Sequence, residues 1–204
     1  MRKTVVIDYG MGNIHSVRSA FEYLGSKVLV TSDPKIISNA DLILLPGVGS
    51  FRIAMDKLNS SGISDALYEA ILHRKKKILG ICLGMQLMAE RGEEDGLRDG
   101  LGFIKGAVTR IKPTAKIKVP HVGFNSVNFD PKCKLIAGLN PEVDAYFVHS
   151  YKLEPGEQRG LLGVCKYGDC FVAAYENENV FATQFHPEKS QTNGLKMLSN
   201  FIAA

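Results

Sequence analysis

Residues 77–89 read KILGICLGMQLMA, and this stretch decides the fold. Lys77 to Ile81 is a short apolar run typical of a buried strand, and a helix is expected from Met85 to Ala89. Cys82 lies between the two, with a glycine two residues away on either side. A sharp strand-to-helix turn that exposes a nucleophile has this pattern, here with cysteine in place of serine. We therefore predict a reactive thiol at Cys82, because the start of the following helix favours the thiolate.

Strand and helix patterns alternate on the amino-terminal side of this stretch. Further strands are predicted at Thr4 to Asp8, Lys27 to Thr31 and Asp41 to Leu45. A helical spacing of apolar residues marks 14–24, Phe51 to Leu58 and Ile63 to Arg74. Alternation of this kind indicates a parallel sheet with crossover helices.

The carboxyl-terminal side is richer in strands. They are predicted at Val122 to Phe129, Asp144 to Val148, Gly160 to Tyr167, Phe171 to Tyr175 and Val180 to Gln184. We expect Gly168 and Asp169 to form a tight hairpin turn, and Ser190 to cap a final helix. The sequence therefore predicts one α/β domain over residues 1–204, with a mostly parallel central sheet flanked by helices and additional antiparallel strands.

The composition is that of a protein that buries a core. Of the 204 residues, 45% are apolar and 23% are charged, which argues against disorder. The net charge is only +4 and the basic residues are scattered, so nucleic acid is not an expected partner. The acidic run at 93–95 is expected to be an exposed loop. No window resembles a signal peptide or a membrane span, so we expect a cytoplasmic protein with reduced cysteines.

A second chemical signal, His186-Pro187-Glu188, follows the last predicted strand. Histidine can act as a general acid and base, and a carboxylate two residues later can orient its ring. Pro187 stiffens the turn between them. Either motif alone also fits a packing cysteine or a surface turn. Together they favour a cysteine nucleophile served by a histidine–carboxylate pair.

Several further motifs accompany these two. They are Asp8-Tyr9-Gly10-Met11-Gly12-Asn13, Pro46-Gly47-Val48-Gly49, Pro120-His121-Val122-Gly123-Phe124-Asn125, Val148-His149-Ser150-Tyr151 and residues 184–190 (QFHPEKS). With them the chain resembles, over its full length, the triad-type (class I) glutamine amidotransferases, and more narrowly the glutaminase subunits of imidazole glycerol phosphate synthases. The resemblance implies the flavodoxin-like α/β fold of that class. No cofactor and no metal site are expected.

The resemblance also implies roles for individual residues. Cys82 would attack the side-chain amide of glutamine, His186 would protonate the departing ammonia, and Glu188 would hold His186 in orientation. Water would then hydrolyse the resulting thioester. Backbone N–H groups of Val48 and Leu83 would stabilise the oxyanion. The glutamine pocket would be lined by Gly49, Gln86, Ser150 and Tyr151.

A partner is implied as well. A (β/α)₈ cyclase subunit, paired with this chain as a heterodimer, would use the ammonia to make imidazole glycerol phosphate and an aminoimidazole carboxamide ribotide in histidine biosynthesis. His121, Phe124 and Asn125 would border this partner, in a loop. The family usually has tryptophan at the position of Phe124 and methionine at that of Val122. These departures keep open a paralogous glutaminase that feeds another synthase, such as one that amidinates a surface sugar.

Hypotheses of other classes start from the same residues. A stand-alone cysteine hydrolase would use the same turn without a partner, whereas a non-catalytic binding module would not need all three side chains. Gly10-Met11-Gly12 invites comparison with dinucleotide-binding loops, but His15 stands at the third glycine position. Cys133, Cys165 and Cys170 lack metal-ligand spacing and are expected to be packing thiols.

Overall fold

The computed structural model describes residues 2–154 and 159–204. The strands are β1 Thr4–Ile7, β2 Val28–Thr31, β3 Leu42–Gly47, β4 Lys77–Cys82, β5 Ala89–Gly92, β6 Arg98–Asp99, β7 Ile104–Arg110, β8 His121–Phe129, β9 Glu142–His149, β10 Tyr151–Leu153, β11 Leu161–Tyr167, β12 Asp169–Asn177 and β13 Val180–Thr183. The helices are α1 Ile14–Tyr23, α2 Pro34–Ser38, α3 Phe51–Ser60, α4 Ile63–Tyr68, α5 Leu83–Leu87 and α6 Gln191–Ala203. None of the described helices is long and apolar enough to cross a membrane.

The amino-terminal half forms the parallel part of the sheet. Its strand order is β2-β1-β3-β4-β13, and each neighbouring pair is parallel. β1 and β3 are buried along their whole length, as expected for strands covered by helices on both faces. Leu45 belongs to one apolar cluster with Phe51 of α3, whereas Leu44 packs with Phe21 of α1. The strand alternation therefore sends successive side chains into two separate cores.

The carboxyl-terminal half adds the antiparallel part. β12 pairs with β13, and the sheet continues through β10, β7 and β5 to β6. β11 forms a hairpin with β12, and β8 pairs with both β11 and β9. The predicted mixed sheet, mostly parallel in its first half and antiparallel in its second, is confirmed.

The turn between β4 and α5 depends on close backbone packing. Cys82 is the residue that caps α5 at its amino end. A Cβ atom on Gly84 would lie 1.7 Å from the carbonyl oxygen of Leu45, so α5 can approach β3 only because residue 84 is glycine. The strand–turn–helix arrangement predicted around Cys82 is therefore present.

Two predicted helices differ from the structure. The helix after Cys82 ends at Leu87, and Ala89, which was expected to be helical, begins β5. β5 pairs with β7, so sheet pairing outweighs local helix propensity there. The segment predicted as a helix from Ile63 to Arg74 divides into α4 and a π-helical turn, Glu69–His73.

Two predicted turn residues also act differently. Ser190 precedes α6, but its side chain does not cap the helix. Its hydroxyl donates to the carbonyl of His186 (2.7 Å) and accepts from the backbone N–H of Tyr146 (2.9 Å). Gly168 alone turns the β11–β12 hairpin, with φ 73°, because Asp169 already pairs with Tyr167.

Candidate active site

Cys82 lies at the carboxyl end of β4, in the parallel part of the sheet. Its φ of 55° lies in the left-handed region, which is unusual for a residue with a side chain and marks backbone strain. The residue is only 7% exposed. Its sulfur lies 3.9 Å from the carbonyl oxygen of Val148 and 3.9 Å from Nε2 of Gln184. The turn thus holds the sulfur between β4 and the end of β9.

His186 follows β13, the strand that neighbours β4. Its Nδ1 lies 2.8 Å from Oε1 of Glu188, and the two side chains are 3% and 0% exposed. The backbone N–H of His186 donates to the carbonyl of Tyr146, and its carbonyl accepts from Ser190. Both the ring and the backbone of His186 are therefore fixed.

The charge of His186 follows from its two neighbours. Burial lowers the pKa of His186, but the adjacent Cys82 and Glu188 outweigh this effect and raise the pKa to about 10. Nε2 of His186 is buried and has no hydrogen-bond partner within residues 2–154 and 159–204. The neighbouring Cys82 and Glu188 therefore favour an imidazolium at His186.

These side chains border a cleft of about 290 Å³, at the small end of the range for ligand pockets. The predicted site residues that line it are Val48, Gly49, Cys82, Leu83, Gln86, Ser150, Tyr151 and His186. Glu188 lies behind His186, away from the cleft. Four further residues also line it: Glu94, Pro120, Val148 and His149. In the described part of the chain, no cluster of three or more His, Cys, Asp or Glu side chains is arranged to hold a metal ion.

Gln86 connects α5 to the opposite wall of the cleft. Its side-chain amide donates to the carbonyl of Tyr151 and to Oε1 of Gln184, each at 2.9 Å. Nδ1 of His149 also contacts the Tyr151 carbonyl oxygen, at 2.8 Å. Two groups thus converge on one carbonyl and hold the backbone at residues 150–151 against the cleft.

The segment after β3 carries Val48 and Gly49 along the rim of the cleft. Val48 is 46% exposed, and Gly49 has φ 101°. The hydroxyl of Tyr9 donates to the carbonyl of Pro46 at 3.0 Å. Burial, with a smaller contribution from Cys82, raises the pKa of Tyr9, so the hydroxyl stays protonated and able to donate. Tyr9 belongs to the first of the further motifs, but the sequence alone assigned it no contact.

Glu94 was expected in an exposed loop, and the structure differs. The carboxylate of Glu94 accepts from the backbone N–H of Phe51 (3.1 Å), and burial raises the pKa of Glu94. His149 is the last residue of β9 and is 6% exposed. Its place at a strand end directly before Ser150 was the available signal. Nothing local marked Glu94, because its partner lies 43 residues away.

The three predicted partner-facing residues lie on β8, so the strand predicted at Val122 to Phe129 is confirmed and the expectation of a loop was wrong. Phe124 is 51% exposed and packs edge-on against Tyr146, with ring centroids 5.5 Å apart. His121 is buried. Asn125 contacts Nε2 of His121 at 3.3 Å and donates to the carbonyl of Lys166 at 3.4 Å. Of the three, Phe124 is thus the one directed outward.

The other cysteines differ from one another in burial. Cys133 and Cys165 are buried, and burial raises the pKa of each to about 12. Cys170 was expected to be a packing thiol but is exposed. It lies next to the hairpin turn, opposite Lys166.

The strained cysteine turn, the buried histidine–carboxylate pair and the mixed α/β sheet agree with the family that the whole sequence matches. The chain belongs to the class-I glutamine amidotransferase family, whose model matches residues 5–204. It is 46% identical to imidazole glycerol phosphate synthase subunit HisH 1 of Campylobacter jejuni, over 97% of this chain and 98% of that relative. It is 42% identical to subunit HisH of Acinetobacter baylyi, over 99% of this chain and 98% of that one. Subunit HisH of Aquifex aeolicus is 44% identical, over 98% and 95%.

Solved structures share the fold at lower identity. A putative GMP synthase protein from Thermoplasma acidophilum superimposes with a TM-score of 0.74 at 21% identity, covering 100% of this chain and 94% of that one. PurLQS from Thermotoga maritima gives a TM-score of 0.70 at 17% identity, covering 100% and 99%. At these identities the similarity concerns the fold alone.

Proposed function

We propose that this chain is the glutaminase subunit of an imidazole glycerol phosphate synthase and hydrolyses glutamine to glutamate and ammonia. The names of the relatives that are 42% to 46% identical over nearly the whole chain support this function. The observation that carries it is the free, buried Nε2 of His186 beside Cys82, with Nδ1 held by Glu188. A general acid needs such a nitrogen to reach the reacting atoms. The continuous sheet supports treating residues 1–204 as one amidotransferase domain.

In the first half of the reaction, the sulfur of Cys82 attacks the side-chain carbonyl carbon of glutamine. The backbone N–H groups of Val48 and Leu83 stabilise the oxyanion that forms. Nε2–H of His186 gives its proton to the leaving nitrogen as the C–N bond breaks. Ammonia departs, and a γ-glutamyl thioester remains on Cys82.

In the second half, the neutral ring of His186 takes a proton from water as the water oxygen attacks the thioester. Cleavage of the C–S bond releases glutamate and returns the thiolate of Cys82. Glu188 fixes the tautomer of His186 and stabilises its charged form. Gly49, Gln86, Ser150 and Tyr151 hold the glutamine in place.

The proposed partner is a (β/α)₈ cyclase subunit that forms a heterodimer with this chain and uses the ammonia to make imidazole glycerol phosphate and an aminoimidazole carboxamide ribotide. The outward face of β8 and β9 supports docking: Val122, Phe124 and Val148 are 56%, 51% and 38% exposed. Apolar side chains on a solvent face mark an interaction surface. Val148 also lines the cleft, so a protein docked on this face of β8 and β9 would cover the cleft. The cytoplasmic location stays a prediction.

The test is a reconstituted complex of this chain with the cyclase subunit. The wild-type complex should make product from either L-glutamine or ammonium. Cys82→Ala should lose the glutamine-dependent reaction by at least about 10⁴-fold, because the thiolate is a covalent participant, and keep the ammonium-dependent one. Cys133→Ala, at a buried thiol, is the matched control and should keep both. Glutamine turnover retained in Cys82→Ala would contradict the mechanism, and coupling only to a sugar-amidating synthase would replace the proposed partner.

A further inference from the structure

A pair of buried histidines lies beside the cleft, outside the proposed triad. His121 is 3% exposed and His149 is 6% exposed. Nδ1 of His121 lies 2.9 Å from Nε2 of His149. Nδ1 of His149 lies 2.8 Å from the carbonyl oxygen of Tyr151, and Nε2 of His121 lies 3.3 Å from Nδ2 of Asn125. The four residues form one continuous chain of hydrogen bonds.

The proton positions along this chain of hydrogen bonds are set at the end where His149 meets Tyr151. The Tyr151 carbonyl can only accept, so Nδ1 of His149 carries a proton. Nε2 of a neutral His149 is then bare and accepts from Nδ1–H of His121. Nε2 of His121 is bare in turn and accepts from the amide of Asn125. Burial lowers the pKa of His121 to about 4 and that of His149 to about 3, which agrees with two neutral rings.

Ring stacking prevents His121 from turning out of this chain. The ring of Tyr167 lies 3.9 Å from that of His121 on one side, and the ring of Phe147 lies 4.7 Å away, both nearly parallel to it. The hydroxyl of Tyr167 donates to the carbonyl of Lys118 at 2.9 Å, so it is not part of the hydrogen-bond chain of the two histidines. His121 is therefore a rigid donor aimed at His149.

We propose that His121 is a positioning residue of the glutamine site and acts through His149. This inference rests on the proposed glutaminase function. The carbonyl of Tyr151 accepts from His149 and from Gln86, so the pair of donors fixes the backbone that lines the cleft. Without His121, Nε2 of His149 loses its hydrogen-bond donor, so the ring keeps only its contact with the Tyr151 carbonyl and can turn away from it. The backbone at residues 150–151 then loosens, while Cys82 and His186 stay in place, so that glutamine binds more weakly without slower chemistry.

Three variants separate the hydrogen bonds of His121 from its packing. His121→Phe keeps a ring between Tyr167 and Phe147 but removes both hydrogen bonds. His121→Asn restores an N–H donor near the position of Nδ1. Tyr167→Phe is the matched control, because it removes one hydroxyl and keeps the stacked ring.

The readout is the rate at which a chloroketone analogue of L-glutamine labels Cys82 in the full chain, followed by peptide mass spectrometry. His121→Phe should raise the half-saturating concentration about tenfold, the effect of one lost hydrogen bond, with an unchanged maximal rate. His121→Asn should recover most of the loss, and Tyr167→Phe should match the wild type. Labelling by iodoacetamide, which lacks the amino-acid part, should be the same in all. An unchanged half-saturating concentration in His121→Phe would overturn the inference.

Two outcomes are kept apart by this design. If the wild-type chain shows no saturable labelling, the proposed glutaminase function fails, whatever the histidines do. If the wild type saturates but iodoacetamide labelling falls together with analogue labelling in His121→Phe, the histidine has only a structural role and the inference fails.

A measurement on the wild-type chain needs no variant to fold. In nitrogen-15 NMR of the histidine-labelled protein at neutral pH, His121 and His149 should each show a protonated Nδ1 and a bare Nε2. A proton on Nε2 of either ring, or a charged ring, would contradict the proposed direction of these hydrogen bonds. In His121→Phe the Nε2 resonance of His149 should shift, because this nitrogen loses its hydrogen-bond donor.

Discussion

His186 lies between two groups that can carry negative charge. Glu188 contacts Nδ1, and Cys82 lies near the unpartnered Nε2. Together they raise the pKa of His186 from an ordinary value of 6.5 to about 10, against the opposing effect of burial. The ring therefore stays protonated through neutral pH, ready to act as the acid in the first step of the proposed reaction.

Removing the carboxylate tests this balance. Glu188→Gln should lower the pKa of His186, because the variant loses the charge that favours the imidazolium. The pKa of His186 can be followed by nitrogen-15 NMR across the titration. Glu178→Gln is the control: it removes a carboxylate that is 71% exposed and should leave the titration unchanged. An unaltered titration in Glu188→Gln would show that the carboxylate does not set the charge of the ring.

The interaction between His186 and Glu188 should make the stability of the protein depend on pH. Because the folded pKa of His186 lies above 6.5, its contribution is fully present below pH 6.5 and is lost as the pH rises towards about 10. The difference in unfolding free energy between wild type and Glu188→Gln, measured in urea, should therefore shrink across that interval. A difference that grows with pH would reverse the assigned sign.

The positions of Cys82, His186 and Glu188 could be predicted because their signals are local. Two glycines mark the turn at Cys82, and a single residue, Pro187, separates the histidine from the carboxylate. Tyr9 could not be assigned in the same way. It reaches the segment at Pro46, 37 residues away, and only the parallel pairing of β1 with β3 brings them together.

At the scale of elements, the approach of α5 to β3 depends on residue 84. Gly84→Ala would place a methyl group 1.7 Å from the carbonyl oxygen of Leu45. Neither backbone can move without disturbing the sheet, so we expect a loss of about 3 kcal/mol of unfolding free energy, at the upper end of overpacking costs. Urea denaturation of the variant provides the measurement.

Gly12→Ala serves as the control for this experiment, because its added Cβ would meet Pro46 at an ordinary 3.5 Å. The control should change the unfolding free energy by no more than about 0.5 kcal/mol. Equal stability of the two variants would mean that the turn tolerates a wider separation of α5 and β3.

The β8–β9 hairpin gives a second prediction at this scale. In the complex, Phe124→Ala should lower the ratio of product formed to glutamate released by about fivefold, the effect of losing one interface anchor. The side chain is half exposed, so folding should weaken by less than about 1 kcal/mol. Leu72→Ala is the control: Leu72 is similarly exposed, at 49%, but precedes β4 at the opposite end of the sheet. Complete coupling in Phe124→Ala would show that this face is not the interface.

The sequence predicted best the elements that have a strong local pattern. The buried strands of the parallel half followed from continuous apolar runs, and α3 and α6 from helical spacing. Ala89 was assigned to a helix because its local propensity is helical, and only pairing with β7 makes it a strand. The strand predicted at Val122 to Phe129 begins one residue earlier, at His121, because pairing with β9 extends to His149.

At the scale of the whole molecule, the site is assembled where parallel strands end. β3 and β4 bring Val48 and Cys82 to one edge of the sheet, and β13 leads to His186 at the same edge. The ends of β9 and β10 close the cleft from the antiparallel part. Ligands in open α/β sheets bind at this edge. Here the cleft also shares Val148 with the exposed face of β8 and β9, so partner docking and substrate binding are adjacent.

This adjacency predicts that the partner controls the reaction. A subunit that hydrolysed glutamine whenever it met it would waste nitrogen, so the free chain should be nearly inactive although its proposed triad is complete. The segment after β3 is the expected switch: Val48 is 46% exposed on the rim, and Gly49, at φ 101°, permits a peptide flip that directs the Val48 N–H towards the oxyanion.

One missing oxyanion donor costs about 10² to 10³ in rate, or about 3 to 4 kcal/mol, and partner contacts on an exposed loop can shift an equilibrium of that size. The glutaminase rate should therefore rise from the free chain to the complex, and again when the cyclase subunit binds its own substrate. Val48→Ala, which keeps the backbone N–H, should preserve most of this activation, whereas Val48→Pro, which removes the N–H, should abolish it. A free chain as fast as the liganded complex would contradict control by the partner and favour the stand-alone hydrolase.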